Sequence, residues 1–201
     1  MTDQQLDGGS GVLHEIFSSR LRAAVLCQML PRPDQRFSLT DLSRILNLPI
    51  SSLQHECYKL ERLGLIESRR SGNTRRYRVV CESPFYPPLA RLVAAAIGPE
   101  AMLRAALETA EALDFAFLAG EPGEATAAQP ARLVLVGDVP LEEIDAIQER
   151  AAMSVSNEAA IETVFYRQDD WQNRIAQQSA YVLSLLNGPR IDLVGVTVQA
   201  S

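Results

Sequence analysis

The sequence contains no long apolar run, no leader-like N-terminus and few cysteines. None of its hydrophobic stretches approaches the roughly 20 residues that a membrane-spanning helix needs. Its first residues, MTDQQLDGGSG, lack the basic region followed by an apolar core that marks a signal peptide. We therefore expect a cytoplasmic protein with no membrane association. With 47% hydrophobic and 22% charged residues, the composition is that of a globular chain.

The few residues suited to metal or redox chemistry are widely separated. Cys27, Cys57 and Cys81 are odd in number and do not form a disulfide framework. No pair among them, His14 and His55 has the spacing of metal ligands. The motifs of serine hydrolases, phosphate-binding loops and zinc proteases are also missing. We expect no metal and no cofactor, and we expect the two thiols on apolar helix stripes, at positions 27 and 57, to be buried.

Charge is distributed unevenly along the chain. Residues 17–80 contain 12 Lys+Arg and 5 Asp+Glu, whereas the remainder contains 7 and 20. The formal net charge of −6 therefore combines a basic segment with an acidic one. Because a phosphate backbone responds to the local field of a protein surface, the acidic total does not exclude nucleic-acid binding by the basic segment.

Residues 37–79 contain two short helical patterns with a proline between them. In the first, Ser38 or Thr40 can cap the N-terminus with a side-chain oxygen. Asn47-Leu48-Pro49 ends this helix, because the residue before a proline avoids helical dihedrals. Its apolar residues recur at helical spacing: Leu39, Leu42, Ile45 and Leu46.

The second helical pattern has an apolar stripe and an opposite polar face. Ser51 or Ser52 is its candidate cap, and Gly64 fits a left-handed residue after its C-terminus. The stripe consists of Leu53, Cys57, Leu60 and Leu63. The polar face carries side chains that hydrogen-bond or pair with phosphate: Gln54, His55, Tyr58, Lys59 and Arg62.

A strongly basic β-hairpin is predicted directly after the second helix. Residues 65–69 and 75–79 have the pattern of strands, and Ser71-Gly72-Asn73-Thr74 has that of the turn. A hairpin stabilised only by its own pairing avoids so much like charge, whereas a facing polyanion removes the conflict. The alternative is a solvated basic face without a partner. The arginines are Arg69, Arg70, Arg75, Arg76 and Arg78.

The stretches SLTDLSRILNL, SSLQHECYKLERLGLIESRR and GNTRRYRV resemble the winged-helix regulators of the ArsR and MarR type. The resemblance implies a winged helix-turn-helix that binds double-stranded DNA as a homodimer, although some winged helices bind protein. Gln54, His55 and Tyr58 are expected nearest to the bases, and packing within the domain is the alternative for Tyr58. The residues expected at the DNA surface are Ser51, Ser52, Gln54, His55, Tyr58, Lys59, Arg62, Arg69, Arg70, Asn73, Thr74, Arg75 and Arg76.

The rest of the chain is predicted to form an arm, a connector and a second domain. We expect a mobile arm over residues 1–16, the winged helix over 17–82, and a linker with a connecting helix over 83–98. Prolines stiffen the connector over 83–88. The apolar helix over 89–97 is expected to form a dimer contact or to pack on its own chain. Residues 99–201 alternate strand and helix patterns, which makes the whole chain α+β. They include an alanine-rich helix over 100–113, a continuous apolar strand over 133–136 that is expected to be buried on both faces, and a helical region over 169–186 with Tyr181 facing inward.

The second domain resembles a small nucleotidyltransferase. The segments LDFAFLAGEPGEATAAQPARLVLVGDVPLEEI and ETVFYRQDDW…LLNGPRIDLVG match its start and end. The family has Gly-Ser after one strand and metal-binding Asp-x-Asp before the next. Here Gly120-Glu121 and Pro130-Ala131-Arg132 occupy those positions, and Glu162 fits a third carboxylate. Proline and arginine do not ligate magnesium, which takes oxygen ligands.

From these patterns we expect a DNA-binding transcriptional regulator whose second domain is catalytically inactive and serves assembly or ligand sensing. We expect no catalytic residue, and a small-molecule effector is left open. One alternative is an active nucleotidyltransferase with an accessory winged helix. The other is an antitoxin-like protein-interaction module, which a DNA-independent complex with another chain would favour.

Overall fold

The computed structural model describes residues 4–108, 110, 112–120, 130–153 and 161–195. The chain divides into two compact units, Met1–Gly98 and Pro99–Ser201. Each unit combines helices with its own β-sheet, so the protein is of mixed α+β class. Within the described ranges, no helix has the length and apolar character needed to cross a membrane.

The first unit is built from helices around a small antiparallel sheet. Its strands lie in the order β1-β3-β2, and both pairings are antiparallel. In chain order its elements are α1 (Gln4–Phe17), α2 (Arg20–Met29), β1 (Phe37–Ser38), α3 (Leu39–Leu46), α4 (Ile50–Arg62), β2 (Ile66–Ser71), β3 (Thr74–Val79) and α5 (Tyr86–Ile97).

Helix α1 occupies the region for which the sequence predicts a mobile arm, and no helix was predicted there. The helix contacts α2 and α5, and Leu13 is fully buried. Glycine-rich composition disfavours an isolated helix, but burial of an apolar face against neighbouring helices offsets that cost. A break at Ser18, which has a φ of 50°, separates α1 from α2.

Helix α5 lies in the segment predicted as a linker with a connecting helix, and residues 83–98 group with the first unit. The helix begins at Tyr86, so Pro87 and Pro88 lie in its first turn. Proline is tolerated there because the N–H groups of a first turn have no partner within the helix. Ala90 and Val93 are fully buried, and α5 contacts α1 and α2 of the same chain.

Helix α3 begins with a capping box and ends at a left-handed residue. The Ser38 hydroxyl accepts from the backbone N–H of Asp41 at 3.1 Å, and the Asp41 carboxylate accepts from the backbone N–H of Ser38 at 2.9 Å. Of the two predicted caps, Ser38 is therefore the one used. Asn47 follows α3 with a φ of 52°, which turns the chain towards α4.

Strand β1 has no counterpart among the predicted elements. It consists of two residues that pair with β3, Phe37 opposite Tyr77 and Ser38 opposite Arg76. A two-residue strand has too little alternation to be seen in the sequence. Burial of Phe37 and Tyr77 joins the base of the hairpin to the helices.

The second unit contains a four-stranded sheet with the order β6-β5-β4-β7. Strands β5 and β6 are parallel, whereas β4 is antiparallel to both β5 and β7. The described elements are α6 (Pro99–Leu107), β4 (Leu113–Ala119), β5 (Ala131–Gly137), α7 (Leu141–Met153), β6 (Ile161–Tyr166), α8 (Gln168–Ala176), α9 (Ala180–Asn187) and β7 (Arg190–Val194).

Helices cover both faces of this sheet. Leu133 and Leu135 of β5 share a buried cluster with residues of α6 and α7. Val134 and Val136 share another with Trp171 of α8 and residues of α9. Because alternate residues of a strand point to opposite faces, the run of apolar residues in β5 is buried on both sides.

Two details of the second unit differ from the predictions. The alanine-rich helix predicted over 100–113 ends at Leu107. The single helical region predicted over 169–186 is two helices, α8 and α9, because Gln178 adopts a φ of 52° between them. Tyr181 was expected to be buried, but 42% of it is exposed.

Candidate nucleic-acid interface

Helix α4 begins without a side-chain cap. Pro49 precedes it with an extended conformation and no side-chain hydrogen bond, so the predicted capping by Ser51 or Ser52 is wrong. Both serines lie inside the first turn and are exposed to solvent. Their hydroxyl groups are therefore available on the surface of the helix.

The two sides of α4 have different chemistry. Leu53, Cys57 and Leu60 are fully buried against the rest of the first unit. Leu63 follows the helix and is 58% exposed, so it does not extend the buried stripe as predicted. Most predicted DNA-contacting residues of α4 are exposed: Ser51, Ser52, Gln54, His55, Tyr58 and Arg62, with Lys59 half-buried.

An acidic residue lies on the buried side of α4, and no pattern in the sequence predicts its burial. Glu56 is only 4% exposed and accepts a 2.6 Å hydrogen bond from Nε of Arg22. Lys59 lies 3.8 Å from the same carboxylate. The two cations compensate a buried charge that is costly without a partner. Lys59 therefore already has an intramolecular anionic partner.

The hairpin of β2 and β3 exposes its basic residues at and near the turn. Arg69, Arg70, Arg75 and Arg76 are all exposed, as are Asn73 and Thr74 of the turn region. The strand register places Arg69 opposite Arg76 and Arg70 opposite Arg75. Like charges directly opposite each other destabilise a strand pair, so the hairpin tip concentrates positive charge against its own folding preference.

Nearer its base, the hairpin carries an acidic residue that partly neutralises its arginines. Glu67 accepts a hydrogen bond from Nε of Arg78, and Nε of Arg69 lies 3.6 Å from the same carboxylate. The hydrogen bond from Arg78 holds the pKa of Glu67 below its ordinary value. Arg76 donates to the backbone carbonyl of Arg36 at 3.5 Å. The positive field is therefore strongest towards the turn.

Arg75 is held against α4 by a small hydrogen-bonded cluster. Its Nη2 donates to both carboxylate oxygens of Glu61, at 2.8 and 3.1 Å. Its Nε donates to the hydroxyl of Ser68 at 2.7 Å, and that hydroxyl donates to Glu61 at 2.6 Å. The guanidinium carbon lies 5.5 Å from the centre of the Tyr77 ring. The sequence gives no local signal for this cluster, because Glu61 and Arg75 are far apart in the chain.

A groove lies between α4 and the hairpin. Its volume is about 340 Å³. The groove brings together Gln54, His55 and Tyr58 of the helix with Arg75 and Tyr77 of the hairpin, and Ser51 and Glu61 complete its lining. Polar groups predominate, so the surface is equipped to form hydrogen bonds with a polar partner.

Arg132, the residue predicted to replace a metal-binding aspartate, forms an ion pair in the second unit. Arg132 of β5 lies directly opposite Glu162 of β6, with Nε 3.5 Å from the carboxylate. That nitrogen makes no hydrogen bond, and the guanidinium lies 5.7 Å from the centre of the Tyr181 ring. Glu121, the predicted replacement for the family's serine, lies outside the described residues. Among the residues that are described, no group of three or more His, Cys, Asp or Glu could hold a metal.

The cysteines are separate from both sites. Cys27 and Cys57 are buried, and Cys81 is exposed. Burial raises the pKa of Cys27 to about 11 and that of Cys57 to about 12, with the neighbouring Glu56 adding to the shift at Cys57. Because the thiolate is the reactive form, both buried thiols are inert near neutral pH.

Comparisons with known proteins give little further information. No protein-family model matches the sequence, and no curated protein matches it. Among solved structures, reduced HlyU from Vibrio cholerae N16961 is 28% identical over the aligned part, which covers 42% of this chain and 87% of that chain. The TM-score is 0.32, and at that value the likeness does not bear on fold or function.

Proposed function

We propose that the first unit binds double-stranded DNA through α4 and the β2–β3 hairpin, as a winged helix-turn-helix, and that the protein is a transcriptional regulator. The observation that supports this most strongly is the shared groove. Exposed polar residues of α4 line the same surface as Arg75 and Tyr77 of the hairpin, although they come from separate parts of the chain. A polyanion bound there would contact the helix and the hairpin together.

The side chains suit two kinds of DNA contact. Gln54, His55 and Tyr58 can hydrogen-bond to base edges, because a helix of this diameter fits the major groove. Arg70 and Arg76 near the hairpin turn can contact phosphates, which fix position without reading sequence. A bound phosphate backbone also relieves the repulsion between the opposed arginines.

Binding of the full-length protein to a fluorescent random-sequence duplex, measured at several salt concentrations, tests this proposal. We expect a linear plot of log affinity against log salt. Arg70→Ala and Arg76→Ala are each expected to reduce the magnitude of its slope by about 0.9, the value for one phosphate contact. Arg174→Ala in α8, which pairs with Asp170, is the matched control and should leave the slope unchanged.

Two results would contradict DNA binding through α4 and the hairpin. One is no detectable complex with any duplex at about 50 mM salt, where non-specific electrostatic binding is strong. The other is identical slopes for all three arginine variants. Recovery of a stable complex with another protein under the same conditions would favour the protein-interaction alternative.

The second unit completes the proposal as a non-catalytic assembly or sensing domain. The ion pair between Arg132 and Glu162 supports this, because an arginine repels the divalent cations that phosphoryl transfer requires. A homodimer is part of the proposal, since paired winged helices read two half-sites of an operator. Sedimentation equilibrium of the free protein and of its complex measures the stoichiometry.

A further inference from the structure

Three side chains close a ring between α4 and both strands of the hairpin. Glu61 comes from the last turn of α4, Ser68 from β2 and Arg75 from β3. Arg75 donates to Glu61 and to Ser68, and Ser68 donates to Glu61. Each pair in the set is thus directly bonded, and the ring ties the hairpin to the helix.

The hydrogen-bonded ring of Glu61, Ser68 and Arg75 is expected to be stable in solution. The side chain of Glu61 is 28% exposed and that of Arg75 is 52% exposed, so water screens their attraction only in part. Hydrogen bonds between charged partners are stronger than neutral ones, and both carboxylate oxygens of Glu61 are engaged. The ring of Tyr77 packs near the guanidinium and restricts it further.

Arg75 and the residue opposite it in the hairpin are in contrasting situations. Arg70 faces Arg75 across the strand pair and is exposed. Within the described part of the chain, Arg70 has no carboxylate at ion-pair distance, whereas Arg75 has Glu61. One arginine of this cross-strand pair is therefore open to an external anion, and the other already has an internal one.

We infer that Glu61 is a positioning residue of the DNA interface, which withholds Arg75 from phosphate and so lowers affinity for DNA of arbitrary sequence. The inference rests on the proposed DNA binding. Glu61 and a backbone phosphate are alternative anionic partners for the same guanidinium. While Glu61 holds Arg75, that residue releases no counterion on binding and makes no contribution to the salt dependence.

A set of four full-length proteins tests this role: the wild type, Glu61→Gln, Arg75→Ala and the double variant. Affinity for a random-sequence duplex is measured across a range of salt concentrations. Arg75→Ala should leave the slope of log affinity against log salt as in the wild type. Glu61→Gln should increase its magnitude by about 0.9 and raise affinity on the order of tenfold at 0.1 M salt. The double variant should return to the wild-type slope.

Two controls accompany the set. Glu15→Gln removes one negative charge from an exposed residue of the same unit and should change neither slope nor affinity appreciably. Thermal unfolding of each protein shows whether the fold is kept. Glutamine can still accept from Ser68, so the Glu61 variant loses the ion pair and retains a hydrogen-bonding side chain of similar size.

The possible results separate the inference from the proposed function. Absence of wild-type binding at low salt overturns both. A slope reduced by Arg75→Ala in the wild-type background shows that Arg75 contacts phosphate in spite of Glu61, and overturns the inference alone. An equal gain in affinity from Glu61→Gln with and without Arg75 would mean that Glu61 only repels DNA, and this would also overturn the inference. A loss of affinity in a Glu61→Gln protein with normal thermal stability would overturn it as well.

Discussion

On the exposed side of α4, single residues differ in what they can contribute to recognition. Tyr58 is 55% exposed and therefore not a core residue, although packing within the domain was the alternative for its aromatic ring. The guanidinium of Arg62 lies 5.8 Å from the centre of that ring. Gln54 is exposed one turn earlier on the same side of the helix, and both residues line the groove.

Gln54→Ala and Tyr58→Ala are expected to weaken binding selectively at a preferred DNA sequence. Such a sequence can be selected from a random pool with the wild-type protein. Each substitution should cost about 1–3 kcal/mol there and little on random duplex, because base contacts discriminate and phosphate contacts do not. Gln148→Ala, an exposed glutamine of α7, is the control. Equal losses on both DNAs would show that the two residues only position the phosphate backbone.

Helix α3 illustrates how one element depends on its first turn. Its capping box satisfies backbone N–H groups at both Ser38 and Asp41. The N–H of Ser38 and then its hydroxyl lower the pKa of Asp41, because both donate to the charged carboxylate. The ionised form of Asp41 is therefore bound more strongly in the folded protein than in the unfolded chain.

Acid is expected to weaken this contribution of Asp41 to stability. A carboxyl group whose pKa is lower in the folded state stabilises the fold above its unfolded pKa, about 3.9, and loses that effect as pH falls through the folded pKa. Urea unfolding of wild type and Asp41→Asn at pH 7 should show the wild type more stable. The difference should shrink as the pH is lowered from 5 towards 2. A difference independent of pH would mean that the charge of Asp41 is not involved.

The elements that the sequence predicts well are those with a local pattern. Helices α3 and α4, the hairpin and the buried strand β5 follow from apolar periodicity, turn residues and a proline. Helix α1 was missed because its glycines disfavour helix and its stability comes from neighbours far along the chain. At the site, exposed residues of α4 and of the hairpin tip were identified by composition. The partnership of Glu61 with Arg75 was not, because only tertiary structure brings them together.

For the molecule as a whole, charge is divided between a basic segment and an acidic remainder. Residues 17–80 hold most of the cations, and the acidic excess lies outside them. The sequence predicts two domains with separate tasks, and the described structure has two compact units. In the second unit, Arg132 neutralises the negative charge of Glu162, so this pair does not attract a metal cation.

The full-length protein is therefore expected to show no nucleotidyltransferase activity. With each of the four nucleoside triphosphates and either magnesium or manganese, no labelled nucleotide should be transferred to protein, RNA or a small acceptor. DNA binding should persist in excess chelator, because the proposed contacts use no metal. Transfer that is abolished by Glu162→Ala would contradict this and make the winged helix an accessory to an enzyme.

The opposed arginines of the hairpin have a consequence for how the protein responds to its ionic surroundings. In the unbound molecule, Arg69 faces Arg76 and Arg70 faces Arg75, and the strands remain paired in spite of this repulsion. Dissolved ions screen that repulsion. The same ions compete with a phosphate backbone for the arginines. Rising ionic strength thus weakens the repulsion between the opposed arginines of the unbound protein, and it also dissociates the complex that those arginines would form with DNA.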